Sequence, residues 1–504
     1  PWALLAIYWG WRVLQDQKPP RAAPLGMTVG VVGALLTYYA GRLIPALLGI
    51  AVIVVGGKTR RWKRYLIALG LGMLLAAPMF WAASRIPGAD ARVGELAVPL
   101  QELRNGNLQP LLQTTWTTLG MFHVKGDPEW LYNLSERPVF GLLGAVLFYV
   151  GILTRLGHLN QPNARMLLLW LSIGIAPAFV SLPASSLGHT ILALPAVYIL
   201  MTMPMKATAR RWAWTAIPFI LLTWSVVTVR DLPDYFVSWP QHSMVRFLYR
   251  ANYRALSHYL EAHPEVTDAV VGSMLFGPWD KVAVETDLSQ QNVKLRWLNP
   301  SRAILDTGKA THFYTQDVLQ PDPQIDTILN EATVIEAPQT MQGILLALPA
   351  PSGDAIVSDI NGTLLFHQPF AGALSLQAAR WEALPAPGTE GQVMLWWHVT
   401  QVLPLPPEEL IPYPPPPGIS TEPRLKVFTH LTTNDGTFVT GDDGLWVDPY
   451  SLFPGDRFIQ WHHFTLPESA PQGPYQLRIG LYDPQTGERW SVANESDSII
   501  IEVE

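Results

Sequence analysis

The stretch Tyr65-Leu66-Ile67-Ala68-Leu69-Gly70-Leu71-Gly72-Met73-Leu74-Leu75-Ala76-Ala77-Pro78-Met79-Phe80-Trp81-Ala82-Ala83 contains no charged residue. It follows the basic cluster Lys58, Arg60, Arg61, Lys63 and Arg64. An uncharged apolar run of roughly 20 residues is what a bilayer-crossing helix requires. A basic flank marks its cytoplasmic end. Working outward, further apolar runs occupy Pro1–Leu14, a segment from Pro24, one ending near Val55, Val139–Leu153, Met166–Leu182, Ile191–Met205 and Trp212–Val229. Several are shorter than an isolated span needs. Their order and the charges between them nevertheless predict about eight crossings within residues 1–230.

The charge asymmetry supports this division. Up to Arg230 there are 20 lysines and arginines against 7 acids; after it there are 14 against 33. A basic, apolar half followed by an acidic half implies two solvents in one chain, and the acidic half argues against a nucleic-acid partner. Alternate gaps between runs are short and basic: Arg12, Lys18 and Arg21; Lys58 to Arg64; Arg155 and Arg165; Lys206, Arg210 and Arg211. These read as cytoplasmic. The segments Tyr38–Arg42, Ser84–Arg137 and Pro183–His189, and everything after Arg230, then lie outside. Trp81, Trp130 and Trp212 flank runs, where aromatic belts form. The chain has no cysteine, which excludes disulfides and thiolate metal sites. It opens at Pro1-Trp2 inside an apolar run, without an initiator Met, and is expected to be the C-terminal part of a longer protein.

Beyond Arg230 the pattern is globular. Residues 231–350 predict a small extracytoplasmic α/β domain. Met244–His263 has helical spacing, and Ala269–Val271, Lys294–Leu298 and His312–Tyr314 are strand candidates. No glycine-rich phosphate loop occurs there. Residues 351–504 predict an extracytoplasmic β-sandwich, with strands at Val393–Val399, Leu425–Leu431, Phe458–Leu466 and Tyr475–Tyr482. Turn signals stand at Asn434-Asp435-Gly436, Asp442-Asp443-Gly444, Pro454-Gly455-Asp456 and Asp483–Gly487, and a Pro-rich insert at Leu403–Pro423. Trp396, Trp446 and Trp461 are either sandwich core or platforms for sugar rings.

Three segments carry a resemblance. They are Thr37-Tyr38-Tyr39-Ala40-Gly41-Arg42-Leu43-Ile44-Pro45, the loop Gly120-Met121-Phe122-His123-Val124-Lys125-Gly126-Asp127-Pro128-Glu129-Trp130-Leu131-Tyr132-Asn133-Leu134-Ser135-Glu136-Arg137-Pro138, and Leu192-Ala193-Leu194-Pro195-Ala196. In this order they resemble bacterial GT-C glycosyltransferases of the dolichyl-phosphate-mannose–protein mannosyltransferase and lipid A aminoarabinose transferase kinds. Lys426–Leu431 and Arg478–Pro484 are similar to a sandwich appended to some bacterial members. The resemblance implies an α-helical polytopic membrane bundle of GT-C type, lacking its N-terminal spans, in a bacterial plasma membrane. It implies a polyprenyl-phosphate sugar as donor, and a protein, lipid or glycan acceptor on the extracytoplasmic face. The catalytic carboxylate of such enzymes belongs to the first outer loop, which is expected upstream of Pro1.

A departing lipid phosphate needs cations at the outer interface. The candidates are Arg42, Lys125, Arg137 and His189. Tyr38, Tyr39, Asp127 and Glu129 are candidates for the sugar or acceptor pocket, and the two acids could hold a divalent cation. Each has a plainer reading: a snorkelling arginine, solvated loop charges, a helix-capping histidine, interfacial tyrosines, and a turn at Gly126-Asp127-Pro128. Two other functions compete. A flippase or transporter of lipid-linked sugars would show charges within spans and internal repeats, and neither is present. A membrane-anchored surface protein with a carbohydrate-binding sandwich would need one span, not a long outer loop between spans.

Overall fold

The computed structural model describes residues 1–55, 61–85, 96–211, 213–275, 277–289, 293–323, 332–336, 341–349, 363–381, 384–410, 421–471, 473–492 and 496–503. Lys58, Arg60, Trp212, part of the Ser84–Arg137 segment and the middle of the Pro-rich insert lie outside these residues. The chain divides into two compact units, Pro1–Val245 and Arg246–Glu504.

The first unit is helical. The expected polytopic bundle of about eight spans is corrected by the length and composition of its helices. Among the described residues two helices, Trp62–Ala83 and Leu187–Met205, are long and apolar enough to cross a bilayer. Ala23–Thr37, Tyr39–Val55 and Leu142–Leu156 are apolar but shorter. At about 1.5 Å per residue, a 15-residue helix covers only some 22 Å of a ~30 Å hydrocarbon layer. Tyr38 is extended (φ −155°, ψ 148°) and ends the helix Ala23–Thr37 at the break expected between two runs. The other unit carries three β-sheets.

Helix packing in the first unit depends on small residues and a few polar ties. Trp2–Gln15 lies against Ala23–Thr37 so closely that a Cβ on Gly30 would stand 2.5 Å from the Ala6 nitrogen. Thr28 donates to the Ala68 carbonyl at 3.0 Å, and Tyr65 to the Leu48 carbonyl at 3.0 Å. Met27, Ile44 and Leu47 are fully buried in the same unit, and Phe148 packs with Phe122 and Phe140. Outward, Ile53 is 84% and Leu142 85% exposed. Within the described part of the Ser84–Arg137 segment stand two helices, Val98–Arg104 and Gln109–Gly120. Gly106 between them has φ +86°, which ends the first helix.

The second unit contains β1 (Asp268–Gly272), β2 (Lys294–Leu298), β3 (Ala303–Asp306), β4 (Thr311–Gln316), β5 (Thr333–Val334), β6 (Gly343–Leu348) and β7 (Thr363–Phe370). It continues with β8 (Leu374–Trp381), β9 (Glu390–Val399), β10 (Lys426–Thr433), β11 (Phe438–Gly444), β12 (Arg457–Thr465), β13 (Tyr475–Tyr482) and β14 (Ile499–Val503). A five-stranded sheet runs β2-β1-β4-β6-β5, parallel through β4 and antiparallel beyond it. Strand alternation sorts its side chains onto two faces. Ala269, Val271, Trp297 and Tyr314 pack with Tyr253, Leu256 and Leu260 of the helix Ala251–Ala262. Val270, Leu298 and Phe313 join the sandwich core instead. The helix expected over Met244–His263 breaks at Arg250, whose φ is +56°, into Ser243–Leu248 and Ala251–Ala262.

Two sheets, β3-β12-β9-β8-β7 and β11-β10-β13-β14, share a core of Leu376, Leu395, Trp397, Val427 and Ile479. Strand β3 comes from the stretch that reads as α/β and pairs antiparallel with β12. The expected turn Asp442-Asp443-Gly444 ends β11 instead, because both carboxylates find partners there. Asp443 accepts from the Tyr482 hydroxyl at 2.9 Å and pairs with His430 at 2.8 Å, and Asp442 accepts from the His463 amide at 3.1 Å. Trp396 is 2% and Trp461 0% exposed, which makes both core residues. Trp446 is half-buried under the Arg302 guanidinium at 5.2 Å.

Folding lowers the pKa of His312, His398 and His463, in each case mainly because burial disfavours the imidazolium. His263, Arg457 and Arg302 respectively add positive charge nearby. The unfolded chain therefore binds more protons than the folded one below about pH 6.5, and stability rises with pH through that window. The urea midpoint of the second unit's transition is expected to fall between pH 7.5 and 5.5. A midpoint that stays level across this range would contradict the assignment.

Candidate functional site

The site is built on the loop 120–138. Gly126 donates to the Glu136 carbonyl at 2.9 Å, and Glu136 donates to the Asp127 carbonyl at 2.7 Å, closing the loop. The closure needs glycine at 126, since a Cβ there would stand 1.9 Å from the Arg137 carbonyl oxygen. Gly126→Ala is expected to cost about 1–3 kcal/mol and to speed proteolytic cleavage within 126–137. Unchanged cleavage would show that the loop closes by other means.

Asp127 is 0% exposed. Its Oδ1 accepts from the Glu129 amide at 2.8 Å, as expected of a turn aspartate. Its Oδ2 accepts from the Leu187 amide at 2.7 Å, sixty residues away. Burial pushes its pKa up, opposed by the Leu187 and Glu129 amides and by His189. With both oxygens engaged by backbone amides, Asp127 is a lock between two segments. It is poorly placed to hold a cation or to take a proton.

The segment it locks, Pro183–His189, is anchored from a second side. Ser185, at φ +64°, donates its amide to Thr118 Oγ1 at 3.2 Å and its hydroxyl to the Thr117 carbonyl at 3.1 Å. Thr118 in turn donates to the Ala178 carbonyl at 3.1 Å. Ser181 donates to the Pro177 carbonyl at 2.8 Å, and its oxygen lies 2.8 Å from His189 Nδ1. The serine has one proton and has spent it on Pro177. The His189 ring must therefore donate from Nδ1.

Next to this turn stands the aromatic pair Tyr38 and Tyr132. From the point where a Cβ on Gly188 would lie, the Tyr38 hydroxyl is 3.8 Å away, Tyr132 Cε2 3.9 Å and Ser186 Oγ 3.7 Å. Tyr38, Tyr39 and Tyr132 are all exposed. The half-buried Arg42 lays its guanidinium 3.9 Å from the Tyr39 ring centroid and 5.2 Å from that of Phe80. This cation–π cradle holds a positive charge at the end of the helix Ala23–Thr37.

The remaining candidates have other partners. Lys125 forms a solvated pair with Glu136 at 2.6 Å. Arg137 is bound by Asp231 at 2.5 Å and Asp234 at 2.8 Å, while Arg230 donates to the Pro138 carbonyl at 2.6 Å. These are struts that carry the loop on the end of the helix Ala213–Pro233. Glu129 is exposed. Beside it Trp130 stacks on His242 at 3.5 Å, and the Trp239 indole donates to the Trp130 carbonyl at 2.8 Å. Among the described residues no group of three His, Cys, Asp or Glu side chains is arranged to hold a metal ion. Tyr132 is a site residue that residue type alone did not single out. Its signal was its place within Gly120–Pro138.

Comparison with known proteins finds no family model that matches the chain and no curated protein similar to it. A solved structure titled "Crystal structure of the C-terminal domain of wzt" is similar over 27% of this chain and 77% of that chain, at 15% identity and a TM-score of 0.18. A likeness at that level carries no argument about fold or function.

Proposed function

We propose that this chain is part of a membrane glycosyltransferase that moves a sugar from a polyprenyl-phosphate donor to a protein, lipid or glycan acceptor on the extracytoplasmic face. The observation that carries the reading is the meeting of three segments far apart in sequence. Tyr38 and Tyr132 flank Gly188, and Asp127 ties the Tyr132 loop to Leu187. These are the segments, or the immediate neighbours of the segments, on which the resemblance rests. Exposed apolar side chains such as Ile53, Ile67 and Leu142 supply a surface suited to lipid. A carrier lipid would bring its phosphate to the edge of that surface, at the level of interfacial aromatics. The reading requires an interfacial site and an apolar flank; it does not require eight crossings.

The chemistry breaks the bond between the anomeric carbon and the phosphate oxygen, and polyprenyl phosphate leaves with an added negative charge. Fixed cations and N–H donors in a low-dielectric setting stabilise that charge. Arg42, pre-oriented on Tyr39 and Phe80, is assigned this role; His189, whose Nδ1–H is engaged by Ser181, is not. Tyr38 and Tyr132 are assigned to the sugar. No acid of this chain is assigned the role of general base. Arg42→Ala is expected to raise the KM for donor at least about tenfold, a transition worth ~1.4 kcal/mol. Arg42→Lys, which keeps the charge but loses the planar stack, should recover only part of the loss. Unchanged donor KM in both variants would remove Arg42 from the site.

A further inference from the structure

We propose that the second unit binds a neutral saccharide in the cleft at the carboxyl ends of β1 and β2, where Lys281, Glu408 and Tyr450 converge. Strand β1 lies between β2 and β4 and is parallel to both. In such sheets ligands bind outside the carboxyl ends of the strands, where neighbouring connections part. The chain leaves β1 through Ser273, Leu275, Gly277 and Pro278, all of which line the cleft, and then enters the helix Trp279–Asp287. The cleft is open to solvent at its mouth.

The wall is rigid. Asp280 accepts from Arg250 at 2.8 Å, from Ser273 at 2.8 Å and from Tyr253 at 3.2 Å. Lys281 is held by Asp448 at 2.9 Å and by Glu408. Asp483 holds Arg424 at the opposite rim. Several groups nevertheless keep hydrogen-bonding capacity among the described residues. The Tyr450 hydroxyl has no protein partner, Glu408 uses Oε1 alone, and the Lys281 ammonium has spent two of its three hydrogens. A donor, an acceptor and a hydroxyl that can act as either therefore face one space, beside the half-buried Tyr450 ring.

Charge then selects the ligand class. Asp280, Asp448, Glu408, Glu409 and Glu422 line the cleft against only Lys281 and Arg424. This net negative lining repels phosphates and nucleotides. An ammonium between two of the carboxylates repels a metal cation. A polyhydroxylated neutral molecule satisfies both constraints: its hydroxyls accept from Lys281 and donate to Glu408, and its C–H face lies on Tyr450. Burial raises the pKa of Glu408 against the pull of Lys281, consistent with a carboxyl that exchanges hydrogen bonds with hydroxyls. This inference does not rest on the proposed transfer reaction.

The test is calorimetric binding to the full chain in detergent, using a panel of neutral hexose and pentose methyl glycosides and their di- and trisaccharides. At least one member is expected to saturate below about 10 mM. Glu408→Gln and Tyr450→Ala should each weaken it at least about tenfold. Tyr450→Phe, which keeps the ring, should weaken it less than Tyr450→Ala. Inorganic phosphate should not compete. Lack of saturation by every member, wild-type binding by Glu408→Gln or Tyr450→Ala, or displacement by phosphate would each overturn the proposal. Binding is read without turnover, so a failure of the transferase reading leaves this test intact.

Discussion

Replacing Arg296 by alanine is expected to destabilise the second unit by about 3–5 kcal/mol, the cost of leaving buried carboxylates without their cation. Arg296 is 3% exposed and donates to two acids from different parts of the unit. Its Nη1 reaches Asp268 Oδ1 at 2.6 Å; Nε and Nη2 reach the two Asp456 oxygens at 3.1 and 3.0 Å. Asp456 also accepts the Phe453 amide at 2.8 Å, and the Phe453 ring lies 4.7 Å from the guanidinium. Burial alone would raise the pKa of Asp268. Hydrogen bonds from Arg296 and Thr267 overcome that and hold it below its usual value. The triad thus joins the parallel sheet to the turn before β12 at the cost of desolvating three charges. At a few degrees of Tm per kcal/mol for a unit of this size, Arg296→Ala should lower the second transition by roughly 10 °C. Arg296→Lys should recover little, because a point charge cannot make the paired bonds to Asp456. A shift of about 2 °C or less for Arg296→Ala would mean that the acids find water, and that the triad is not the tie described here.

Asp127→Ala is expected to have the largest effect on transfer. The substitution strips the acceptor from two amides, those of Glu129 and Leu187. Each unsatisfied buried donor costs about 1–3 kcal/mol. The loss also frees Tyr132 to move relative to Gly188, and misplacement of about 1 Å in a positioned site costs on the order of 100-fold in rate. Donor turnover should therefore drop by about that factor or more, with a fall in the thermal midpoint of the first unit. Asp127→Asn separates the two effects. Its single carbonyl can accept one amide, while its NH2 group meets the other donor head-on. Intermediate stability with severely reduced kcat, and little change in donor KM, would mark Asp127 as a positioning residue. Full activity in Asp127→Asn would show that the link to Leu187 does not shape the site.

Much of the second unit was legible in the sequence, because strands and turns write their period locally. Tyr475–Tyr482 is bounded as its alternation predicts, and the Ala269, Lys294 and His312 strands fall where β-branched and aromatic residues cluster. Non-local pairing was not legible. Ala303–Asp306 reads as part of the α/β stretch, yet its partner is Arg457–Gln460, more than a hundred residues on. Hydropathy located the apolar helices and the break at Thr37–Arg42, but not how many of the helices suffice to cross a bilayer. Left-handed residues hid two further breaks. Gly106 is a conventional place for one, but Arg250 carries no mark of it.

The candidate site was legible in parts. Asp127 reads as a turn residue, and its bond to Glu129 is that turn; nothing in its own neighbourhood announces Leu187 as a second partner. Arg137 and Arg42 look alike as outer cations. Asp231 and Asp234 separate them by binding the first, while the second lies on an aromatic ring.

The most direct test of the account is turnover of a lipid-linked donor. The purified full-length protein, in detergent with added phospholipid, is incubated with a polyprenyl-phosphate sugar labelled in both the sugar and the phosphate. The account predicts time-dependent release of polyprenyl phosphate together with transfer of labelled sugar to an acceptor from the cell envelope, and at least about a tenfold loss of both in Tyr38→Ala/Tyr132→Ala. Donor that remains intact with the wild-type protein, or release that the double substitution leaves unchanged, would contradict it.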